Sequence, residues 1–434
     1  MVGTTAVTDP AAPVHPRLRT LDESLLPRLR TLDAVRGVAV MGILLLNVID
    51  MAMPGYAYVD PNFYGGASGA NWWEWAVVYV LADGKMRGLF TMMFGASTVL
   101  IAERALASGQ SPARVHYARM ATLFVFGMLH AYLIWSGDIL VLYSVCGAVL
   151  FVAWRWRPRV LLTVGIVLLA FKLVDGVTAY QQVSALRNAA AQSVPSPPAV
   201  AAWRAFERDA APSRDTIPAT LASFRGSYAD AFRARLRDAW LLQSVVSVEM
   251  LSDTIGLMLI GVALFRLGFF SGGWSRRAYW IAAVPVPLLW LGYVPLVAWL
   301  QATDFAPLTM IATEAIQLTL LRPLLSVGYA ALVILFVQSG HATWLADRLA
   351  ATGRMAFSNY LGTSIAVTLV FNGYGFGWYG YLQRWQCLIV VAIVWVAMLA
   401  WSKPWLDRFA YGPFEWLWRS AARGRLQPFR RRKA

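Results

Sequence analysis

A single histidine, His130, lies deep inside an apolar stretch of this sequence, TLFVFGMLHAYLIWSGDILVLY at 122–143. An imidazole is costly to hold in hydrocarbon, so a chain that keeps one there usually needs its acid–base chemistry. The other three histidines, His15, His116 and His341, fall in polar flanks or loops. If the chain is an enzyme, the sequence predicts that His130 is its general base. The alternative is a histidine that only packs between helices.

Five more ionisable side chains fall in or beside apolar stretches. Their charges are mixed, and each is cheaper to hold beside a water-filled cavity or an opposite charge than in lipid. We expect them to face one cavity near the outer side of the membrane, at a depth similar to that of His130. They are Lys85, Arg87, Glu249, Asp253 and Arg322.

Four of these five residues also have a plainer interpretation. Lys85 and Arg87 could extend their charged ends to the membrane interface. Glu249 and Arg322 could form a structural ion pair that holds two helices in register. Because Glu249 and Asp253 are four residues apart, an unbroken helix would place them on one face.

A second set of polar residues lies at predicted inner helix ends and near the middle of the membrane. Arg36, Arg119 and Arg354 are either topology signals or groups that bind cytoplasmic phosphates through bidentate hydrogen bonds. Asn47 and Asn359 could hydrogen-bond across helices or line a tunnel. The sequence contains no phosphate-binding glycine loop and no metal-ligand cluster, so we expect no metal site.

The composition places these residues in a membrane protein. Of 434 residues, 58% are hydrophobic and 14% are charged, whereas soluble domains carry about 25% charged residues. The 20 tryptophans and 17 tyrosines suit aromatic belts at two membrane interfaces. The net charge of +15 indicates contact with anionic lipid and membrane orientation, not nucleic acid, because the basic residues lie at segment ends. We predict an all-α, polytopic transmembrane helical bundle in the lipid bilayer.

About ten segments are apolar enough to cross roughly 30 Å of hydrocarbon as helices. Residues 71–84, rich in tryptophan, are predicted to form an interfacial helix that leads into the second segment. The first 30 residues are polar, so no cleavable signal peptide is expected. We place the segments at 36–53, 86–103, 118–136, 139–155, 160–180, 241–265, 278–300, 315–338, 354–372 and 383–402.

Most of the 38 lysines and arginines fall in loops on one side of this arrangement, and three short loops on the other side carry none. The positive-inside rule then predicts that both termini are cytoplasmic. The predicted parts are an N-terminal tail at 1–30, a bundle at 31–402 and a basic tail at 403–434. The loop at 181–240 is expected outside. Its first half should be irregular, and its second half an amphipathic helix that lies on the outer leaflet, roofs a cavity or is merely solvated.

Six blocks of the sequence resemble the YeiB-type family of bacterial membrane proteins, in order over nearly the whole chain. That family is similar to the transmembrane acyltransferase superfamily, which includes heparan-alpha-glucosaminide N-acetyltransferase. The resemblance implies a multi-pass protein of the bacterial cytoplasmic membrane. The blocks are RLRTLDAVRGVAVMGILLLNV (28–48), DGKMRGLFTMMFGAS (83–97), RMATLFVFGMLHAYLIWSGDILVLYSVCG (119–147), LMLIGVALFRLGFF (257–270), GRMAFSNYLGTS (353–364) and YGPFEWLWRS (411–420).

The resemblance implies acyl transfer from cytoplasmic acyl-CoA, with acetyl-CoA as the expected donor, to a hydroxyl or amine of an envelope glycan or lipid outside. It implies a membrane-embedded histidine as base, which here is His130. Asp138 is then the candidate partner that orients or charges the imidazole, unless it only shapes a turn.

The remaining candidates take supporting roles under this resemblance. Lys85, Arg87 or Arg322 would stabilise the oxyanion, and Glu249 and Asp253 would help to bind the acceptor. The extended pantetheine arm of CoA spans on the order of 15–20 Å, enough to reach from the inner face toward His130. The candidate CoA-binding residues are Arg36, Asn47, Arg119, Arg354 and Asn359.

Two other classes of function remain open at this point. A transporter or flippase for an anionic or lipid-linked molecule would also place mixed charges at depth, although no internal repeat is evident. A non-catalytic scaffold or sensor of the envelope would use the same charges only as ion pairs. The scaffold interpretation suggests a homodimer.

Overall fold

The computed structural model describes the backbone of residues 17–431 and the side chains of residues 30–431. Regular structure in this part of the chain is helical, with one isolated bridge between Phe409 and Arg430, so the predicted all-α class is confirmed there. The helices of the first half are α1 (Arg17–Ala52), α2 (Gly69–Leu81), α3 (Lys85–Ala107), α4 (Pro112–Leu133), α5 (Leu140–Leu150), α6 (Pro158–Ala190), α7 (Pro197–Ala210), α8 (Ile217–Arg225), α9 (Tyr228–Leu241) and α10 (Ser247–Glu249).

The second half of the chain continues in the same way. Its helices are α11 (Leu251–Arg266), α12 (Arg276–Ala283), α13 (Val286–Leu291), α14 (Val294–Ala302), α15 (Pro307–Ile316), α16 (Arg322–Ser339), α17 (Thr343–Arg354), α18 (Ala356–Phe371), α19 (Arg384–Arg408) and α20 (Pro413–Arg423).

Six helical runs within residues 17–431 are long and apolar enough to cross a membrane, and a bent pair, Tyr228–Glu249 with Leu251–Arg266, makes a seventh if it is one span. Leu140–Ala153 and α18 are shorter apolar helices. These helices indicate a helical membrane protein. The six runs are Arg30–Ala52, Gly69–Ala107, Pro158–Ala190, Arg276–Ala302, Pro307–Ser339 and Arg384–Arg408.

Every predicted segment falls on a helix or a run of helices, but several are not the single straight helices that we expected. Segment 278–300 comprises α12, α13 and α14, and prolines lie in the first turns of α13 and α14, where they remove backbone donors. Segment 315–338 contains a π-helical turn, Gln317–Leu321, between α15 and α16. The predicted interfacial helix, α2, forms with α3 a run of 39 residues, Gly69–Ala107.

Helix α1 lies at the centre of the bundle, in contact with α3, α16, α17, α18 and α19. Glycines let the backbones of α1 and α17 touch. A Cβ on Gly37 would overlap the Leu349 carbonyl oxygen, and a Cβ on Gly353 would overlap the Asp33 carbonyl oxygen. Small residues at such crossings are typical of helices packed in membranes, where close van der Waals contact replaces the hydrophobic effect.

The predicted outer loop, 181–240, is more helical than the sequence suggested. Only 191–196 interrupts the helices of its first half, because Ser196 caps α7 and prolines in the first turn suit a helix start. The expectation of an irregular first half is therefore wrong. The predicted single amphipathic helix is two helices, α8 and α9, because a capping box of Ser227 and Asp230 begins α9 anew.

The C-terminal helix α20 docks on α18 through one carboxylate. Glu415 accepts hydrogen bonds from the backbone nitrogens of Phe357 at 2.8 Å and Ser358 at 3.0 Å, and from the Ser358 hydroxyl. These donors belong to the first turn of α18, which otherwise lacks backbone partners. Burial raises the pKa of the Glu415 carboxyl, and the hydrogen bonds from Ser358 and Phe357 oppose that shift. The block 411–420 thus ties the C-terminal segment to the bundle.

Candidate functional site

His130 and Asp138 form a buried hydrogen-bonded pair. His130 lies in the last turn of α4, and Asp138 lies in the short connection before α5. Nδ1 of the imidazole is 2.7 Å from Asp138 Oδ2, while Asp138 Oδ1 accepts from the Val141 amide at 3.0 Å. The exposed fractions of the two residues are 1% and 6%. Asp138 therefore bonds both to the first turn of α5 and to the imidazole, whose orientation it fixes.

The second imidazole nitrogen is free. His130 Nε2 is buried and has no hydrogen-bond partner among the described residues. Aromatic rings surround the imidazole, with the Tyr360 ring centroid at 5.2 Å and that of Trp135 at 6.1 Å. Trp135 in turn donates from Nε1 to Asp50 Oδ2 at 2.6 Å. With the Nδ1 proton directed to Asp138, Nε2 carries the lone pair of a potential general base.

A cavity of 820 Å³ lies beside this pair, between α1, α3, α11 and the α15–α16 break. Its volume falls in the range of ordinary small-molecule sites. Helix α7 contributes Phe206, Asp209 and Ala210 to the wall, so part of the 181–240 segment covers the cavity. The π-helical turns Leu242–Val246 and Gln317–Leu321 both supply lining residues. Turns of this kind often occur at functional sites.

The cavity lining is acidic although the whole chain is basic. Its cations are Arg87, Lys172 and Arg384. Arg87 pairs with Asp253 at 3.1 Å, and Arg384 pairs with Glu74 at 3.1 Å. The acidic side chains outnumber these cations, so the lining favours cationic or neutral polar ligands over anions. The lining carboxylates are Glu74, Asp83, Asp209, Glu249, Asp253 and Glu314.

Three buried polar atoms on the cavity wall lack hydrogen-bond partners within the described residues. They are Glu74 Oε1, Arg87 Nη1 and Gln317 Oε1. Gln317 uses its Nε2 to donate to Asp83 Oδ2 at 3.2 Å. Buried polar atoms are normally paired, so each unpaired one needs an explanation. Together they offer one donor and two acceptors to a polar ligand.

The five predicted outer charges separate into two groups. Arg87, Glu249 and Asp253 line the cavity. Lys85 and Arg322 are fully buried and do not line it. The Lys85 ammonium donates to the Tyr79 carbonyl oxygen and lies 3.7 Å from the Tyr293 ring centroid.

The suggested Glu249–Arg322 ion pair is wrong. Arg322 instead pairs with Asp253 through both of its terminal nitrogens. The helix bends by 62° between α10 and α11, after Glu249 and before Asp253. The expectation of one unbroken face therefore fails, because α10 and α11 point in different directions.

His130 lies one layer behind the cavity wall. Ile139, next to Asp138, and Asn47 on α1 both line the cavity, whereas His130 itself does not. Asn47 also lines a narrow void between α1 and α18, together with Tyr360 and Val40. Since the Tyr360 ring packs on the imidazole, this void comes within one side chain of His130.

The inner candidates have different environments. Arg36 bonds to Asp33 at 2.9 Å and to Ser97 at 2.8 Å, while Arg354 is exposed at the end of α17. Arg119 is buried beneath the Trp418 ring.

Asn359 hydrogen-bonds across helices, which is the first of the two roles suggested for it. Its Nδ2 donates to the Thr352 carbonyl and the Ser402 hydroxyl, and its oxygen accepts from Trp401. Asn359 thus links α17, α18 and α19. It does not line the 820 Å³ cavity.

Sequence reasoning missed several cavity residues and misplaced one histidine. Asp83, Lys172 and Glu314 line the cavity, but we did not select them from the sequence. Each is a charged residue inside or next to an apolar stretch, and that feature could have identified them. His116 is not in a polar flank. It is 1% exposed, and its Nε2 lies 2.8 Å from the Gly147 carbonyl oxygen. His341 is exposed as expected, and His15 lies outside the described residues.

Comparison with known proteins identifies relatives of this chain. Residues 264–425 match a family described as "Protein of unknown function (DUF418)". The chain is 30% identical over 402 residues to the protein named "Uncharacterized protein YeiB" of Escherichia coli, covering 90% of this chain and 94% of that protein. It is 27% identical to "Uncharacterized protein YxaH" of Bacillus subtilis, covering 92% and 96% of the two chains. The chain therefore belongs to the YeiB-type family.

Proposed function

We propose that this protein is a membrane-embedded acyltransferase. It would move an acyl group, with acetyl-CoA as the donor, from the cytoplasmic side to a hydroxyl or amine of an envelope glycan or lipid on the far side. The observation that carries the proposal is the enclosed His130–Asp138 pair with a free Nε2. An oriented, buried imidazole with one unpaired nitrogen suits a general base, and a cavity large enough for an acceptor lies one side-chain layer away.

In the proposed reaction, the acceptor oxygen or nitrogen attacks the thioester carbonyl carbon while His130 Nε2 takes its proton. The Asp138 carboxylate stabilises the imidazolium that forms. The carbon–sulfur bond then breaks, and the imidazolium returns the proton to the departing CoA thiolate. Arg87 is the best-placed candidate for oxyanion stabilisation, because it lines the cavity with a free Nη1, whereas Lys85 and Arg322 are committed to other partners.

Helix lengths support a donor that enters from the inner side. Arg119 and His130 are eleven residues apart on α4, which at 1.5 Å per residue is about 16 Å. Arg36 and Asn47 have the same separation on α1. The extended pantetheine arm has a similar length, roughly 15–20 Å. The narrow void between α1 and α18, lined from Val40 to Met51 on α1, holds little more than one water molecule, so the arm would have to part these helices.

The proposal includes the finer topology. Ten helical segments would cross the bacterial cytoplasmic membrane, with both termini in the cytoplasm and the 181–240 segment outside. It divides the chain into a tail at 1–30, the bundle at 31–402 and a basic tail at 403–434. The charge distribution of the loops supports this orientation. The six long runs, the bent Tyr228–Arg266 pair and the two shorter apolar helices would make nine crossings, and α4, with 22 residues, would make the tenth.

The acyl-transfer proposal is tested with purified full-length protein in detergent, acetyl-CoA and bacterial envelope fractions, by following release of free CoA. His130→Gln should lower the rate by about 10²–10⁴-fold, the usual contribution of a general base. Asp138→Asn should also lower it, because the imidazolium loses its counter-charge. His116→Gln is the matched control, since it removes a second buried imidazole from the same helix.

CoA release at the wild-type rate from folded His130→Gln protein would refute the histidine mechanism. An equal loss of activity in His116→Gln would also count against it, because it would assign both effects to packing.

Transport is the second candidate, favoured by the broken helices at the cavity. The 62° bend and the two π-helical turns resemble the discontinuous helices that form transporter sites. The acidic lining favours a cationic or neutral polar cargo over the anionic one suggested by the sequence. The test measures uptake of a cationic or neutral polar solute into proteoliposomes without acetyl-CoA. Uptake that survives His130→Gln and is lost in Glu314→Gln would favour transport over acyl transfer.

A further inference from the structure

Helix α20 covers the inner part of α4 by enclosing one arginine. Trp418 donates from its indole nitrogen to the Arg119 carbonyl oxygen at 3.1 Å. The Arg119 guanidinium lies 4.0 Å from the Trp418 ring centroid, and the residue is only 9% exposed. The docking of α20 therefore buries most of a permanently charged side chain.

No carboxylate compensates this charge. Among residues 30–431, Arg119 forms no ion pair, and its Nε is buried without a hydrogen-bond partner. Arg419 and Arg423 lie one turn apart on α20 and act on it with the same sign of charge. Arg423 also donates from Nη1 to Gln427 Oε1 at 2.6 Å. A buried charge without a counter-ion is unfavourable, and stacking on an indole offsets only part of the cost.

Arg419 shows the same deficit from the other side of the junction. Its Nε is buried and unpartnered, and its guanidinium lies 4.6 Å from the Tyr411 ring centroid. Burial lowers the pKa of Arg419, and Arg423 and Arg104 lower it further against the opposing effects of Tyr411 and Glu415. The Glu415 carboxylate already accepts three hydrogen bonds from α18.

We propose that Arg119, Arg419 and Arg423 form a phosphate-binding site at the junction of α4 and α20. A guanidinium fork matches phosphate oxygens in geometry, and a phosphate supplies the negative charge that Arg119 lacks. The phosphate belongs either to a soluble phosphate ester or to a phospholipid headgroup. The site rests on the missing counter-charge alone and does not require acyl transfer. If the protein does use CoA, α20 would supply contacts to the phosphate groups of that donor.

The test measures binding of inorganic pyrophosphate to the full-length protein in neutral detergent by calorimetry. The wild type should bind it saturably. Arg419→Gln and Arg423→Gln should each weaken binding by about tenfold or more, the equivalent of one lost charge-assisted hydrogen bond. Arg155→Gln is the matched control, because Arg155 stacks on Trp154 in the same way but lies on a different segment and is exposed.

Arg119→Met separates a binding role from a structural one. It should abolish pyrophosphate binding yet unfold at the same or a higher temperature than the wild type in phosphate-free buffer, because it removes an uncompensated buried charge. A lower unfolding temperature in that buffer would indicate that the arginine stabilises the fold by itself, and would overturn the proposal.

The two sources of phosphate are separated in nanodiscs. If a lipid headgroup is the ligand, pyrophosphate should bind at least tenfold more weakly in phosphatidylglycerol nanodiscs than in phosphatidylcholine ones. If a soluble ester is the ligand, its affinity should be equal in both. No saturable binding of pyrophosphate in either nanodisc or in detergent, or wild-type affinity in Arg419→Gln, would refute the site.

Discussion

At the residue scale, Asp253 holds two arginines from different helices. Arg87 of α3 bonds to it at 3.1 Å, and Arg322 of α16 bonds to it through both terminal nitrogens. The carboxylate is 2% exposed, so its attraction to both cations is little screened by water. Asp253 therefore joins α3, α11 and α16 at the cavity wall.

Asp253→Asn should strongly destabilise the bundle. The amide cannot neutralise Arg322, which would remain fully buried and uncompensated, and breaking such a pair costs about 3–5 kcal/mol. The free energy of unfolding is measured by denaturant titration in mixed micelles. Asp407→Asn, which breaks an exposed pair with Lys403, is the control and should cost less than about 1 kcal/mol. Equal losses in both variants would contradict this account.

Single residues were predictable from the sequence where a charge interrupts an apolar run, and their partners were not. The His130–Asp138 contact joins residues eight apart across a turn, so the spacing left open both a pair and a simple turn. We expected Arg322 to pair with Glu249, whereas it pairs with Asp253. The helix breaks at Met250, and none of the residues that usually end a helix marks this break in the sequence. Partner choice depends on bends of this kind.

At the element scale, helix contact depends on glycines that the apolar pattern does not reveal. Gly353 of α17 lies against the Asp33 carbonyl of α1, and Gly95 of α3 lies against the Met258 carbonyl of α11. Nothing lies within 4 Å of a Cβ placed on Gly362 of α18. Hydropathy predicts that these helices exist. Where two helices cross most closely, the contact depends on whether one residue lacks a Cβ atom, which hydropathy does not show.

Gly353→Ala and Gly362→Ala should therefore have opposite effects. At Gly353 the added methyl would overlap backbone, so overpacking should destabilise the protein by about 1–3 kcal/mol or more. At Gly362 the methyl meets open space, and a helix-interior alanine should stabilise by about 0.5–1 kcal/mol. Thermal unfolding of both variants in the same detergent gives the comparison. Similar stability changes in the two variants would argue against the α1–α17 contact.

At the scale of the whole molecule, the class of protein follows from composition and the arrangement of the bundle does not. Low charge and abundant aromatic residues sufficed to predict a helical membrane protein. The 820 Å³ cavity is lined at the bend and the π-helical turns of two segments, 241–265 and 315–338, that the hydropathy pattern presents as continuous. Because periodicity is local, it cannot reveal which helices will meet around a space.

The proposed orientation can be tested with two exposed positions. Val194 is 86% exposed in the predicted outer segment, and Leu426 is 78% exposed near the C-terminus, while both native cysteines are buried. In intact spheroplasts, an impermeant maleimide should label Val194→Cys and should label Leu426→Cys only after lysis. Labelling of both positions in intact spheroplasts, or of Leu426→Cys alone, would contradict cytoplasmic termini.

The enclosure of His130 has one more consequence for an acyltransferase. A thioester beside an activated base is open to attack by any water molecule that reaches it, which would waste the donor in futile hydrolysis. With 1% of His130 exposed and aromatic rings on two sides, bulk water has no direct access to the imidazole. The base would work only when side-chain movement admits an acceptor, so acceptor binding itself would license turnover and protect the cell's supply of activated acyl groups.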